Sequence, residues 1–138
     1  MDSLSFRNDT PHTVTYHEPC KTAYMNIDIE SVRAILHAIP NTTLVEMKHH
    51  GKNTMCCGCR TADVLPETGS LVTGKRLMEA ADTGADTLID VCHNCHRLFR
   101  NYQKSTGTAD ISVVNYSTYI AQSIGIVRDD CMDRPEVG

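Results

Sequence analysis

Hydrophobic residues in this chain switch repeatedly between a period of two and a period near 3.6, and that alternation limits the fold more than any other feature. His12 to His17 (HTVTYH) alternates polar and apolar residues, Thr42 to Met47 (TTLVEM) is rich in β-branched residues, and Asp86 to Val91 (DTLIDV) and Ile111 to Tyr116 (ISVVNY) are similar. These four segments predict strands. Asp28 to Ile39 predicts an amphipathic helix, with Ile29, Val32, Leu36 and Ile39 on one face, Asn26 or Asp28 as the cap and Pro40 as the stop. Lys48 to Arg60 reads as a polar loop. Leu71 to Ala81 predicts a helix whose inner side carries Leu71, Met78 and Ala81, joined by Leu77, with Gly84 as its C-terminal glycine. His93 to Lys104 predicts a third helix, and a last one runs from a Ser117 cap to Ile124, ended by Gly125. Strands alternating with helices imply βαβ units, hence an α/β fold with a four-stranded, mainly parallel sheet and helices on both faces.

The expected organisation is a flexible start (residues 1–10), one domain (11–127) and a charged tail (128–138) containing Pro135 and no apolar periodicity. A length of 138 residues suits one domain. A net charge of −4 and few aromatic residues argue against a nucleic-acid partner, which needs a basic face and stacking platforms. No stretch approaches the roughly 20 apolar residues of a membrane span. Residues Met1 to Thr10 are polar, with no apolar stretch of the kind a signal peptide carries, so the expected location is the cytoplasm.

Seven cysteines are many for a reducing compartment, where clustered thiols more often hold metal or do redox chemistry than form disulfides. Five of them fall just past predicted strands: Cys20 after the first, Cys56 and Cys57 after the second, Cys92 and Cys95 after the third. In open parallel sheets that edge is where ligands bind. Three loops delivering thiols to one edge predict a convergent site, in contrast to single cysteines that replace small apolar residues in a core. A structural zinc needs four ligands, and five thiols suit a polynuclear site better. Cys92-x-x-Cys95 is placed to open a helix, whose N-terminus favours thiolate.

The pieces His17-Glu18-Pro19-Cys20, Cys56-Cys57-Gly58 and Cys92-His93-Asn94-Cys95, in this order, resemble the cysteine-rich CCG domain of heterodisulfide reductase, in its B-type subunit, and of related iron–sulfur oxidoreductases. Gly84-Ala85-Asp86 before an apolar strand is also family-like, and the resemblance covers residues 13 to 126. Two positions depart from the family pattern: Cys59-Arg60-Thr61 stands where glycines are usual, and His93 where proline is common. The resemblance implies that Cys20, Cys56, Cys57, Cys92 and Cys95 bind an iron–sulfur cluster, a non-cubane [4Fe-4S] cluster being favoured. It implies an electron-transfer module of a disulfide-reductase-like complex, inactive alone, that passes electrons to a disulfide or a quinone-linked chain. The implied partner is a redox protein carrying ferredoxin-type clusters or flavin, and docking to a membrane redox complex is compatible with it.

Three other readings stay open from the residues themselves. Zinc on four of the thiols would make a stapled interaction domain. A metal-free Cys92/Cys95 pair would make a thiol–disulfide protein. Cys92-x-x-Cys95-His96 is also the attachment pattern of c-type haem, although haem leaves Cys20, Cys56 and Cys57 unexplained. His17, Cys59, His93 and His96 are candidates for groups beside the sulfurs, donating protons or hydrogen bonds, with His17 matching the family's motif. His49 and His50 lie near the same edge. Lys48, Lys52 and Arg60 read as solvated charge or as attraction for an anion, and Cys131 as an unligated thiol of the tail.

Overall fold

The structure is a computed structural model that describes residues 5–6, 9–25, 27–108 and 110–126. Among the described residues, strands β1 (His12–Tyr16), β2 (Thr42–Leu44), β3 (Thr87–Asp90) and β4 (Ser112–Asn115) form one sheet in the order β2-β1-β3-β4. All three pairings are parallel, with Val14 opposite Leu44 and Thr87, and Leu88 opposite Val113. The helices are α1 (Cys20–Tyr24), α2 (Ser31–Ala38), α3 (Cys59–Val64), α4 (Pro66–Asp82), α5 (His93–Thr106) and α6 (Tyr116–Ser123), with a 3-10 turn at Gly51–Asn53. No described helix is long and apolar enough to cross a membrane.

Two apolar layers cover the sheet. One joins Leu77 and Ala80 of α4 and Cys95 and Phe99 of α5 to Leu88 and Val113. The other joins Leu36 of α2 and Tyr119 of α6 to Val14, Tyr16, Ile89 and Val114. The two faces follow from handedness. The chain steps one way from β1 to β2 and the other way from β3 to β4, and right-handed crossovers put α2 and α5 on opposite sides. The connections therefore diverge between β1 and β3, and the strand ends at such a switch point are where open parallel sheets bind ligands.

The expected α/β class and parallel sheet hold, and local details differ. The second strand is cut to Thr42–Leu44, although Val45 still donates its N–H to Val14 O at 2.9 Å. Met47 leaves the ladder and is buried under α4 and α5. The loop expected over 48–60 contains the 3-10 turn and ends where α3 begins. Asp28 ties down the first turn of α2, accepting from Ser31 N at 3.0 Å, but the helix starts at Ser31. Ser117 does not cap α6: Asn115 does, accepting from Ser117 N at 3.1 Å and Ser117 Oγ at 2.7 Å. Gly84 and Gly125 do adopt positive φ after α4 and α6. Residue 26 and the tail expected at 128–138 lie outside the described residues, and residues 5, 6, 9 and 10 belong to no strand or helix.

The inner face of α4 is the largest correction. Leu71 and Met78, expected inside, are 71% and 64% exposed, whereas Thr73, Arg76, Leu77 and Ala80 are buried. Close approach to α3 sets the rotation: a Cβ on Gly69 would stand 2.5 Å from Ala62 Cα. Gly69 must face α3, and with a period of 3.6 residues Thr73, Arg76 and Ala80 follow it inward.

Candidate metal centre

The site lies where β1 and β3 end side by side. His17 follows β1 directly and donates its N–H to Ile89 O at 2.9 Å, so its position is tied to β3. Two residues beyond β3, Cys92 is the N-cap of α5, and Cys95 sits in that helix's first turn. Cys56 and Cys57 arrive from the β2 side. Ligand atoms of His17, Cys57 and Cys95 all lie within 4.8 Å of one another, and all three residues are buried. Cys20, Cys56, Cys59 and Cys92 are half-buried, and the six described cysteines are free thiols.

The thiols act on one another electrostatically. Cys95 donates to Cys57, which pulls the Cys57 thiol far below its ordinary value and pushes that of Cys95 up. Each sulfur opposes ionisation of the other, because two buried thiolates in contact would repel. Cys92 touches Cys95 and raises it further. Cys56 is raised by burial and by Cys57 and Cys20, against the Gly58 N–H, which donates to Cys56 Sγ at 3.3 Å. Burial also raises Cys59, with Cys57 and Cys92 adding to it.

The Cys56–Cys59 turn rests on Gly58, whose φ of +95° most side chains cannot adopt. There is no room for a side chain either: a Cβ would stand 2.7 Å from Gly69 O and 2.9 Å from Thr73 Oγ1. Thr73 donates to Cys57 O at 2.7 Å, fixing this turn to α4. The left-handed step lets the Gly58 amide face Cys56 and the Cys59 amide support negative charge on Cys57.

His17 is fully buried and packs edge-on against Phe99, ring centroids 5.1 Å apart. Its pKa is lowered, by burial first and by the Arg76 charge. Arg76 Nε donates to His17 Nδ1 at 2.9 Å. His17 Nε2 is buried with no nitrogen or oxygen partner; what the ring meets is the Cys57 sulfur, and each favours the charged form of the other.

Of the other expected groups, His96 Nδ1 pairs with the buried Asp90 carboxylate at 2.9 Å, and Asp90 also accepts from Asn115 at 3.2 Å. Burial raises the Asp90 pKa. His93 is exposed at the start of α5, and Lys48, Lys52 and Arg60 are exposed. His50 contacts Met47 O at 2.6 Å, and His49 pairs with Glu79 at 3.0 Å. Cys131 lies outside the described residues. Sequence reading missed Arg76, Asp90 and Thr73. Arg76 was hidden because a cation on an amphipathic helix is ordinarily assigned to solvent.

The donor chemistry fits a soft metal or an iron–sulfur cluster. Several thiols converge, two of them buried, and thiolates select such centres over hard cations. His17 Nε2, buried beside the sulfurs with no nitrogen or oxygen partner, is placed to interact with a group held there.

A doubly wound parallel sheet with cysteines gathered at its switch point defines a sulfur-rich ligand domain. The model of the cysteine-rich CCG domain matches residues 14–100, and the chain belongs to that family. It is similar to one subunit of the dihydromethanophenazine:CoB–CoM heterodisulfide reductase of Methanosarcina acetivorans, 31% identical over 91% of this chain and 31% of that one. One subunit of the CoM/CoB fumarate reductase of Methanothermobacter marburgensis is 29% identical over 74% of this chain and 21% of its own length. A probable iron–sulfur-binding oxidoreductase of Bacillus subtilis, FadF, is 27% identical over 81% and 16%. The chain thus spans about a third or less of these relatives. No solved structure matches it.

Proposed function

We propose that this domain is an iron–sulfur electron-transfer module in which Cys20, Cys56, Cys57, Cys92 and Cys95 hold a [4Fe-4S] cluster, in a non-cubane form. The observation that carries the reading is the buried Cys57–Cys95 contact beside His17 at the end of the sheet, with Cys56 and Cys92 electrostatically linked to that pair and Cys20 to Cys56. Family membership supports it, as do relatives named as iron–sulfur or heterodisulfide-reducing proteins. Five thiols exceed what one tetrahedral ion takes.

Such a cluster supplies one-electron transfer. Reducing one disulfide to two thiols takes two electrons and two protons, and the electrons would come from a partner protein carrying ferredoxin-type clusters or flavin. The protein's own contribution is amides facing sulfur at Gly58 and Cys59 and the buried Arg76 charge, which favour added negative charge against the cost of burial. Exposed Tyr24 and Met25 at the end of α1, and Val64 and Leu65 at the end of α3, lie on the segments that begin at Cys20 and Cys59. Apolar surface so close in sequence to the ligands suits a protein partner. The same chemistry permits transfer into a quinone-linked chain, with the domain on the cytoplasmic side.

The test is metal and sulfide analysis of anaerobically purified protein, with its visible spectrum. About four irons with matching sulfide supports the cluster. One zinc without iron, in protein made by a host competent in cluster assembly, overturns it in favour of a zinc-stapled interaction domain.

A further inference from the structure

Arg76 is buried without access to solvent, and its donors are distributed in a fixed way. Nη1 donates to His49 O at 2.8 Å and reaches Glu79 Oε2 at 3.4 Å. Nη2 donates to Thr54 Oγ1 at 3.2 Å, and Thr54 in turn donates to Glu18 O at 2.9 Å. Nε remains, and it donates to His17 Nδ1 at 2.9 Å. A guanidinium has five N–H donors, no acceptor, and keeps its proton in proteins. The imidazole nitrogen facing it must therefore present a lone pair. A neutral imidazole with its lone pair on Nδ1 carries its hydrogen on Nε2. A second hydrogen on the ring would set two buried cations against each other.

From this geometry we infer that Arg76 locks His17 with its hydrogen on Nε2, so that His17 serves the cysteine site as an N–H donor to sulfur and not as a metal ligand. The inference rests on the proposed cluster for its redox consequence but not for the lock itself. Nε2 is the ring nitrogen left without a nitrogen or oxygen partner, and a ring nitrogen is within 4.8 Å of the Cys57 and Cys95 sulfurs. Phe99, edge-on at 87°, restrains the ring. A hydrogen bond to a ligating sulfur stabilises the more negative, reduced state and raises the potential. Arg76 is the positioning residue: it acts through His17, anchored by His49 and Thr54 of the loop after β2 and by Glu79 on its own helix.

Three measurements decide it. In zinc-loaded protein with 15N-labelled histidine, long-range nitrogen–proton NMR should show His17 protonated at Nε2, and Arg76→Leu should release the lock so that Nδ1–H appears. A lone pair on Nε2 in the unsubstituted protein overturns the inference. In the iron-loaded protein, pulsed EPR of the reduced state should show no directly bound histidine nitrogen, and finding one overturns it. His17→Phe should keep its full iron and sulfide while its midpoint potential moves negative, and His17→Gln, whose amide restores a donor, should return towards the original value. Loss of iron in both variants overturns it. If the unsubstituted protein takes up no iron, the cluster proposal fails, whereas the NMR experiment still decides the lock.

Discussion

Gly58 and Gly69 meet where α3 folds back on α4: a Cβ on Gly58 would lie 2.7 Å from the Gly69 carbonyl oxygen, with Gly58 itself at φ +95°. This contact places the Cys56–Cys59 turn and sets the rotation of α4. Gly58→Ala should therefore cost about 1–2 kcal/mol for the left-handed backbone and about 1–3 kcal/mol more for the clash, with loss of bound metal. Gly107 also has a positive φ, but nothing lies within 4 Å of its added Cβ. Gly107→Ala should cost only the backbone share and keep the metal. Denaturant midpoints and metal content of the two variants check this, and equal losses would refute the close-approach argument.

The rotation of α4 makes a second prediction. Leu77 is buried against Ala80 and Phe99, so Leu77→Ala should destabilise by about 2–5 kcal/mol. Leu71→Ser and Met78→Gln, on the exposed side, should stay within about 0.5 kcal/mol of the parent. Urea unfolding of the three variants distinguishes this face from the one that apolar spacing suggests.

Glu79 links the buried Arg76 to acid stability. Burial raises its pKa, but the His49 amide (2.6 Å), the His49 ring and Arg76 outweigh burial and hold it below the usual 4.5. A carboxylate depressed in the folded state contributes stability that is present above its unfolded value and lost as pH falls through the folded one. Stability should therefore drop below about pH 4.5, and Glu79→Gln should flatten that part of the curve while lowering stability at neutral pH. Thermal melts between pH 3 and 7, on the order of the range over which carboxylates titrate, compare the two. Identical slopes would show that Glu79 carries no such linkage.

The cysteines should separate by metal content. Cys57→Ser and Cys95→Ser remove the buried pair and should abolish metal binding. Cys59→Ser should retain it, since Cys59 opens α3 and lies outside the proposed ligands. Stripping the metal with a chelator should lower the melting temperature of the parent and of Cys59→Ser, because binding to the folded state alone stabilises it. Iron loss in Cys59→Ser equal to that in Cys57→Ser would add Cys59 to the ligand set.

The α/β alternation and the delivery of Cys20, Cys56, Cys57, Cys92 and Cys95 to the strand ends were legible because both rest on local signals. Residue period reports which side of an element is buried, and loop position relative to a strand follows from it. Signals that depend on partners distant in sequence were not legible. The short α3 has no apolar stripe of its own, and it exists because Gly58, Ala62 and Gly69 permit close packing on α4. The capping role of Asn115 over Ser117 turns on a two-residue shift in where α6 begins.

By itself the sequence determined the class of fold, the edge at which the thiols gather and the family to which they belong. Tertiary structure alone decided the inward face of α4 and the burial of Arg76 against His17. The physical reason is that a cation enters a protein interior only where several donors' worth of acceptors await it. Those acceptors come from His17, His49, Thr54 and Glu79, and Arg76 stands 59 residues from His17. No local period in the chain encodes that meeting.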